Sequence, residues 1–453
     1  MSSDAALAGY WPSPWPGEDG GPRRTQTPHG TCGLGIADGE RLEVISRDAY
    51  AVTMVVLRDP GEVYVLRHTL GPRLLDSPST GWVERIDPES LRPLQRSPDL
   101  AAGPFWPGGL AAHANGSLYT VFGRWCHRLA PDCSVIASRK LPQPRPYNSF
   151  VILADGTIVT KDLDRKGAQR ARLSLLEPES LQPRCAEIEL PERTIARLSS
   201  DGHTIYVVGV TTVYRYVWDP AAERLERDDD WVLRYCGRSD HSYGWDPVVD
   251  GGQMWFLNNG DHTYTHSMLG AGVAPSGIQL IRVSLTDVTD HEFVDVCGAA
   301  HGSATNPPLY DAKRRIALGY DSANGALAAW RFGDAGLQRL WQRPYATATH
   351  MVRFGDTGEV VIDDYHADLP RLRTQRLRRL MAYAGPLLNN RHVRAAGASR
   401  CSDDVVVIDI ETGQERARAR VPSLFQGIVF PAVGWGRDLY YPTISKLARV
   451  SVV

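Results

Sequence analysis

No run of the chain reaches the roughly 18 consecutive apolar residues that a membrane-spanning helix needs. The start, MSSDAALAGYWPSPWPGEDGGPRR, lacks a basic stretch followed by an apolar core, so it does not read as a secretion signal. Cysteine is sparse. The seven in 453 residues (Cys32, Cys126, Cys133, Cys185, Cys236, Cys297, Cys401) form no CxxC pair and no zinc-finger spacing. An odd, scattered set argues for reduced structural thiols rather than a disulfide framework. Neither sign of charge is in excess: 50 basic side chains face 52 acidic ones, and the pI is about 6.7. Such a chain carries no global field to attract nucleic acid, and none is expected as a partner. There is no P-loop, no GxSxG and no HExxH, and CGLGIADG at 32–39 lacks the spacing of a dinucleotide-binding turn. These absences set the expectation of a cytoplasmic protein without a transmembrane segment.

What is present is turn chemistry and aromatic residues: Gly 42, Pro 31, Trp 12 and Tyr 18. The phrase PESL occurs at 88–91 and again at 178–181, each time after a strand-like run. Hairpin signals recur at Asn115-Gly116, Asp155-Gly156, Asp201-Gly202, Asp250-Gly251, Asp311-Ala312, Asp356-Thr357-Gly358 and Gly434–Gly436. Asn-Gly and Asp-Gly supply the positive φ of a tight hairpin. A step of about 45 residues with four strands per unit is the signature of a β-propeller blade. Seven hairpins predict an all-β, seven-bladed propeller over residues 41–453, with a helical insertion at 367–401 in the penultimate blade. The strand around Trp82 would close the ring; alternatively residues 41–70 add an eighth blade. Residues 1–40 read as an N-terminal arm or a disordered tail.

The DG and NG hairpins and the phrase VVVIDIETGQ resemble β-propeller repeats of the YVTN and quinoprotein kind, over about residues 80–453. The stretch DDVVVIDIETGQERARARVPSLFQGIVF is also similar in pattern to carotenoid-cleaving oxygenases, which are propellers with iron-binding histidines. Where that family has histidines, this chain has Gln426 and Asn148-Ser149. The likeness therefore implies architecture and not the iron site.

In a propeller, starts of innermost strands and ends of second strands share one mouth of the axial channel. Counting back from each hairpin places His241 with Tyr243, His301 and His350 at three such starts, and Asn148 at a fourth. The second strands end in Lys161-Asp162, Asn258-Asn259, Asp321 and 363–366. Three imidazoles on adjacent blades suit a divalent metal such as Fe or Zn. Asp321, Asp363, His366, Tyr243 and Asn148 are the candidate catalytic side chains around it. The insertion carries eight arginines, with Leu377, Leu380, Met381 and Ala384 at helical spacing. It is a candidate lid over the mouth, or a basic face for weak membrane contact. The loop 258–277, with Tyr264 and His266, starts at the same mouth. The expected function is an enzyme acting in the channel on a small, lipophilic molecule with metal assistance. The alternatives are a non-catalytic binding scaffold and a quinoprotein-like dehydrogenase.

Overall fold

The computed structural model describes residues 7–30, 33–69, 79–104, 107–165, 167–368 and 390–453. Strands form eight antiparallel sheets, and each is one blade of a propeller. The innermost strands are, in order, Val52–Leu57, Gly109–Ala112, Tyr147–Ile152, Ser199–Asp201, Val248–Asp250, Leu309–Asp311, Val352–Phe354 and Ala432–Val433. We number the blades 1 to 8 accordingly.

The ring has eight blades, the alternative that residues 41–70 allowed, and not seven. The extra hairpin is Asp59-Pro60-Gly61. Proline presets one turn residue, Gly61 takes φ +80, and Glu62 N–H closes on the Asp59 carbonyl at 2.8 Å. The strand carrying Trp82, Ser79–Ile86, is consequently the third strand of blade 1 and not the closing strand. Closure falls to Leu42–Asp48, which pairs antiparallel with Lys446–Val452 as the outer strand of blade 8. Two chain ends share that sheet, so the ring has no open edge.

Facing blades bury alternate residues of their middle strands, as the period-2 pattern requires. Trp218, Trp231, Trp255 and Trp330 are nearly inaccessible between blades. Trp255 stacks on Tyr310 of the next blade with ring centroids 4.6 Å apart. Each such ring contributes roughly 2–3 kcal/mol of burial. The insertion in blade 7 ends in a short helix, Arg391–Ala398, capped by Asn390. The helix expected around Leu377–Ala384 lies outside the described residues. Among the described residues, no helix is long and apolar enough to cross a membrane.

Candidate functional site

The N-terminal segment lies along the axis of the eight-bladed ring, against the innermost strands. The sequence WPSPWPGEDGGPRR cannot form a regular element. Its prolines lack N–H groups, and its glycines permit reversals such as Gly20 at φ +81. It binds instead through its carbonyls. Leu57 N–H donates to Trp15 O, Ala112 to Pro16, Ser200 to Pro22, Val249 to Arg23 and Arg353 to Gln26, at 2.7–2.9 Å. All five donors lie at or near the hairpin ends of innermost strands. The arm thus enters from the hairpin face and ties the blades together at the axis. Residues 33–40 then cross towards blade 8, where Arg437 bonds Leu34, Gly35 and Glu40.

Three residues of the arm other than glycine hold positive φ: Asp19 at 54, Arg24 at 53 and Gln26 at 55. Such conformers cost on the order of 1–3 kcal/mol each and persist only when other contacts impose them. All three side chains are buried, and Gln26 Nε2 donates to Pro308 O at 2.6 Å. Arg24 Nη1 lies 2.7 Å from Glu18 Oε1 and 2.9 Å from Asp19 Oδ2, and its Nε donates to Leu198 O at 2.7 Å. Glu18 also meets Arg197 Nε at 2.9 Å and accepts the Ser149 hydroxyl. Arg197 pairs with Asp246 at 3.2 Å and lies over the Phe430 ring at 4.7 Å. Blades 4 and 8 are opposite in the ring, so this contact spans the axis. Asp19 Oδ1 is 2.6 Å from His350 Nδ1. Burial alone would raise the Asp19 carboxyl, but the His350 ring and Arg24 hold it below its usual value. All these ionisable groups are buried.

Lys161, at the end of the second strand of blade 3, joins the same cluster. Burial pushes its ammonium down to about 7. Asp162 and Asp246 oppose the shift, and Arg197 and Arg24 add to it. An amine poised near neutrality in a buried cluster is suited to exchange protons.

The mouth opposite the arm is crossed by the loop after Gln253–Leu257. Arg165 of blade 3 bonds Asp261 and the His262 carbonyl, and Gly270 N–H reaches Ala323 O of blade 6. On blade 8, Gln426 N–H donates to His266 O at 2.9 Å, and Gln426 Oε1 accepts Met268 N–H at 2.8 Å. The loop that starts at the mouth therefore spans it. Tyr243 fixes its root through Asp261 at 2.9 Å.

The structure does not bring the three sequence-predicted metal ligands together. His350 is buried against Asp19 and Phe430, His241 is half-buried, and His301 is exposed with φ +58. Among the described residues, no group of three or more His, Cys, Asp or Glu side chains is arranged to hold a metal ion. The register inferred from the hairpins fails here because several innermost strands have only two or three residues. His241 and His301 lie on the irregular segments that lead into them.

The mouth carboxylates are employed as staples for those segments. Asp321 Oδ1 accepts Ser303 and Asn324 N–H. Asp363 Oδ1 accepts Thr347 Oγ1 and the N–H groups of Ala348 and Thr349, and its Oδ2 accepts Gln426 Nε2. Burial raises the Asp363 carboxyl, and burial with the neighbouring Asp363 charge raises Asp403. His366 is exposed and sits 3.1 Å from Asp364. Asn148 lies in the strand Tyr147–Ile152, and its side chain is outside the described residues.

Sequence reasoning missed Glu18, Asp19, Arg24, Arg197 and Asp246. A signal existed in the arm, where an acidic pair and an arginine pair flank two glycines. Arg197 lies within the irregular lead-in to blade 4.

No protein-family model and no curated protein matches this sequence. Among solved structures, the chain is similar to a europium-containing methanol dehydrogenase. That match has 9% identity and a TM-score of 0.62, and covers 99% of this chain and 100% of that one. It is also similar to a quinohemoprotein alcohol dehydrogenase from Pseudomonas putida HK5, at 10% identity over 98% of this chain and 71% of that one, with TM-score 0.44. A Lactobacillus plantarum protein matches at 12% identity over 81% of this chain and 98% of that one, with TM-score 0.45. At such identities the likeness shows the fold alone, an eight-bladed β-propeller. The described residues do not fit a europium ion. A hard cation needs several convergent oxygen donors, and among the described residues no three His, Cys, Asp or Glu side chains converge so.

Proposed function

We propose that the protein is a small-molecule enzyme whose site is the axial channel, between the arm and the loop that spans the mouth. The observation that carries this reading is Lys161, an inaccessible amine lowered to about 7 within a cluster of carboxylates and guanidiniums. Strongly perturbed groups with specific charge partners cluster at functional sites. Lys161 exchanges a proton with the substrate, and Asp246 and Arg197 hold the surrounding charge. The loop excludes bulk water. A metal at His241, His301 and His350 is no part of this mechanism, because among the described residues the three rings are not gathered into a ligand set. No step runs through a quinone or lanthanide.

The test is turnover of a small-molecule cell extract by the full chain, followed by mass spectrometry. At least one metabolite should be consumed by the wild type. Lys161→Met should slow its loss by about 10²–10⁴-fold, the usual contribution of a general acid or base. Equal turnover by both proteins would overturn the reading.

A second reading, a non-catalytic binding scaffold, is favoured by one fact: the protein's own chain covers both ends of the channel. It expects no metabolite to change and a protein partner to bind the rim.

A further inference from the structure

The arm contributes more to the channel than filling. His350 Nδ1 faces Asp19 Oδ1 at 2.6 Å, and the ring packs on Phe430 with centroids 3.9 Å apart. Its other nitrogen, Nε2, is buried and has no hydrogen-bond partner among the described residues. A neutral imidazole protonates one nitrogen and offers a lone pair on the other, and the partner of the first decides which. A carboxylate accepts only, so Asp19 requires the proton on Nδ1. The lone pair is then on Nε2. An inaccessible acceptor left unmatched is destabilising, and such an atom in a native protein calls for an explanation, a catalytic role among them.

The backbone around the pair carries strain of its own. Asp19 holds φ 54 inside the arm, a conformation maintained by its bonds to His350 and Arg24. The charged groups nearest the pair are Arg24, Glu18 and Arg197. Arg24 bonds Asp19 and Glu18, and Arg197 bonds Glu18 and Asp246. Each of these charges is matched by another, which leaves the His350 lone pair as an unengaged base beside the axis.

We propose that Asp19 of the N-terminal arm is a positioning residue that holds His350 in the Nδ1-protonated form, and that His350 Nε2 is a proton acceptor of the channel site. The inference rests on the channel reading above. In the step, a substrate O–H or N–H bond breaks and an Nε2–H bond forms. The bonding pair stays on the substrate atom, and the imidazolium charge is balanced by Asp19. The arm is then part of the site, and a chain lacking it has neither the carboxylate nor the oriented base.

The experiment reads which nitrogen of His350 is protonated by nitrogen-15 NMR of the full chain labelled at histidine, with His350→Gln for assignment. The wild type should show Nδ1 protonated and Nε2 carrying the lone pair. Asp19→Asn should lose the fixed tautomer, with the Nε2-protonated form rising at least tenfold over the wild type. Asp19→Glu, which keeps the carboxylate, should restore the Nδ1-protonated form in part. Nε2 protonated in the wild type at neutral pH, or a tautomer indifferent to Asp19→Asn, would each overturn the proposal. These outcomes are separable from failure of the channel reading, because the tautomer is read without turnover.

Discussion

Replacing Arg24 by methionine tests whether the arm is held by charge. The side chain is only 1% exposed, and it contacts Glu18 at 2.7 Å and Asp19 at 2.9 Å. Methionine keeps much of the volume but leaves two buried carboxylates with one fewer cation. Breaking a buried pair from one side costs about 3–5 kcal/mol, because the remaining charge stays uncompensated. The entropy of unfolding is about 2.1 cal/mol/K per residue, which for a chain of this length sums to roughly 1 kcal/mol/K. Arg24→Met should therefore lower Tm by about 3–5 °C in calorimetry, with little dependence on salt. Arg170→Met is the control. Its pair with Glu189 is 60% exposed on the arginine side and 3.3 Å long. Such surface pairs are worth about 0–1 kcal/mol, so the control should move Tm by about 1 °C or less. Adding Glu18→Gln to Arg24→Met should recover part of the loss, since one of the two carboxylates that Arg24 balanced is then neutral and Arg197 keeps Asp246. Equal shifts for the two single variants, or no recovery in the double, would refute the reasoning.

Deleting residues 1–29 should lower Tm further than Arg24→Met, because Arg197 and His350 lose their partners and the innermost strands lose the arm's acceptors; calorimetry checks it. Gln426→Ala removes the anchor of the loop over the mouth. Amide exchange across 263–272 should accelerate about tenfold for each lost hydrogen bond, read by deuterium uptake. Lys161→Met separates the proton linkage. A lysine whose folded value is about 7 against 10.5 unfolded binds fewer protons in the native state between those pH values, so it adds stability as pH rises through that window. Wild type should gain on the variant by up to about 1.4 kcal/mol per pH unit between pH 7 and 10, and chemical denaturation along that range would show parallel curves if this is wrong.

The repeat was readable because each blade needs a reversal, and Asn-Gly or Asp-Gly is the cheapest way to supply one. Gly116, Gly156, Gly202 and Gly251 all take positive φ in such turns. The first blade escaped the count because its turn uses Pro60-Gly61. The Trp82 strand then seemed to lack a blade of its own. The arm was harder still. Its composition excludes a helix or strand, and nothing local in it says that Trp15 or Asp19 will be buried; only an eight-bladed ring makes the space they fill. Asp321 and Lys161 do fall at or next to the ends of second strands, whereas Asp363 lies in the middle of one. The role of each aspartate is not legible from the sequence, because one that staples N–H groups and one that meets substrate are the same letter.

The most direct test of a proton-exchanging channel is the titration of Lys161 itself. Nitrogen-15 NMR of lysine-labelled protein, with Lys161→Met to assign the signal, should show its amine titrating near 7, and Asp246→Asn should move it lower. A Lys161 signal that stays protonated to about 10.5, as in an unperturbed lysine, would contradict the account.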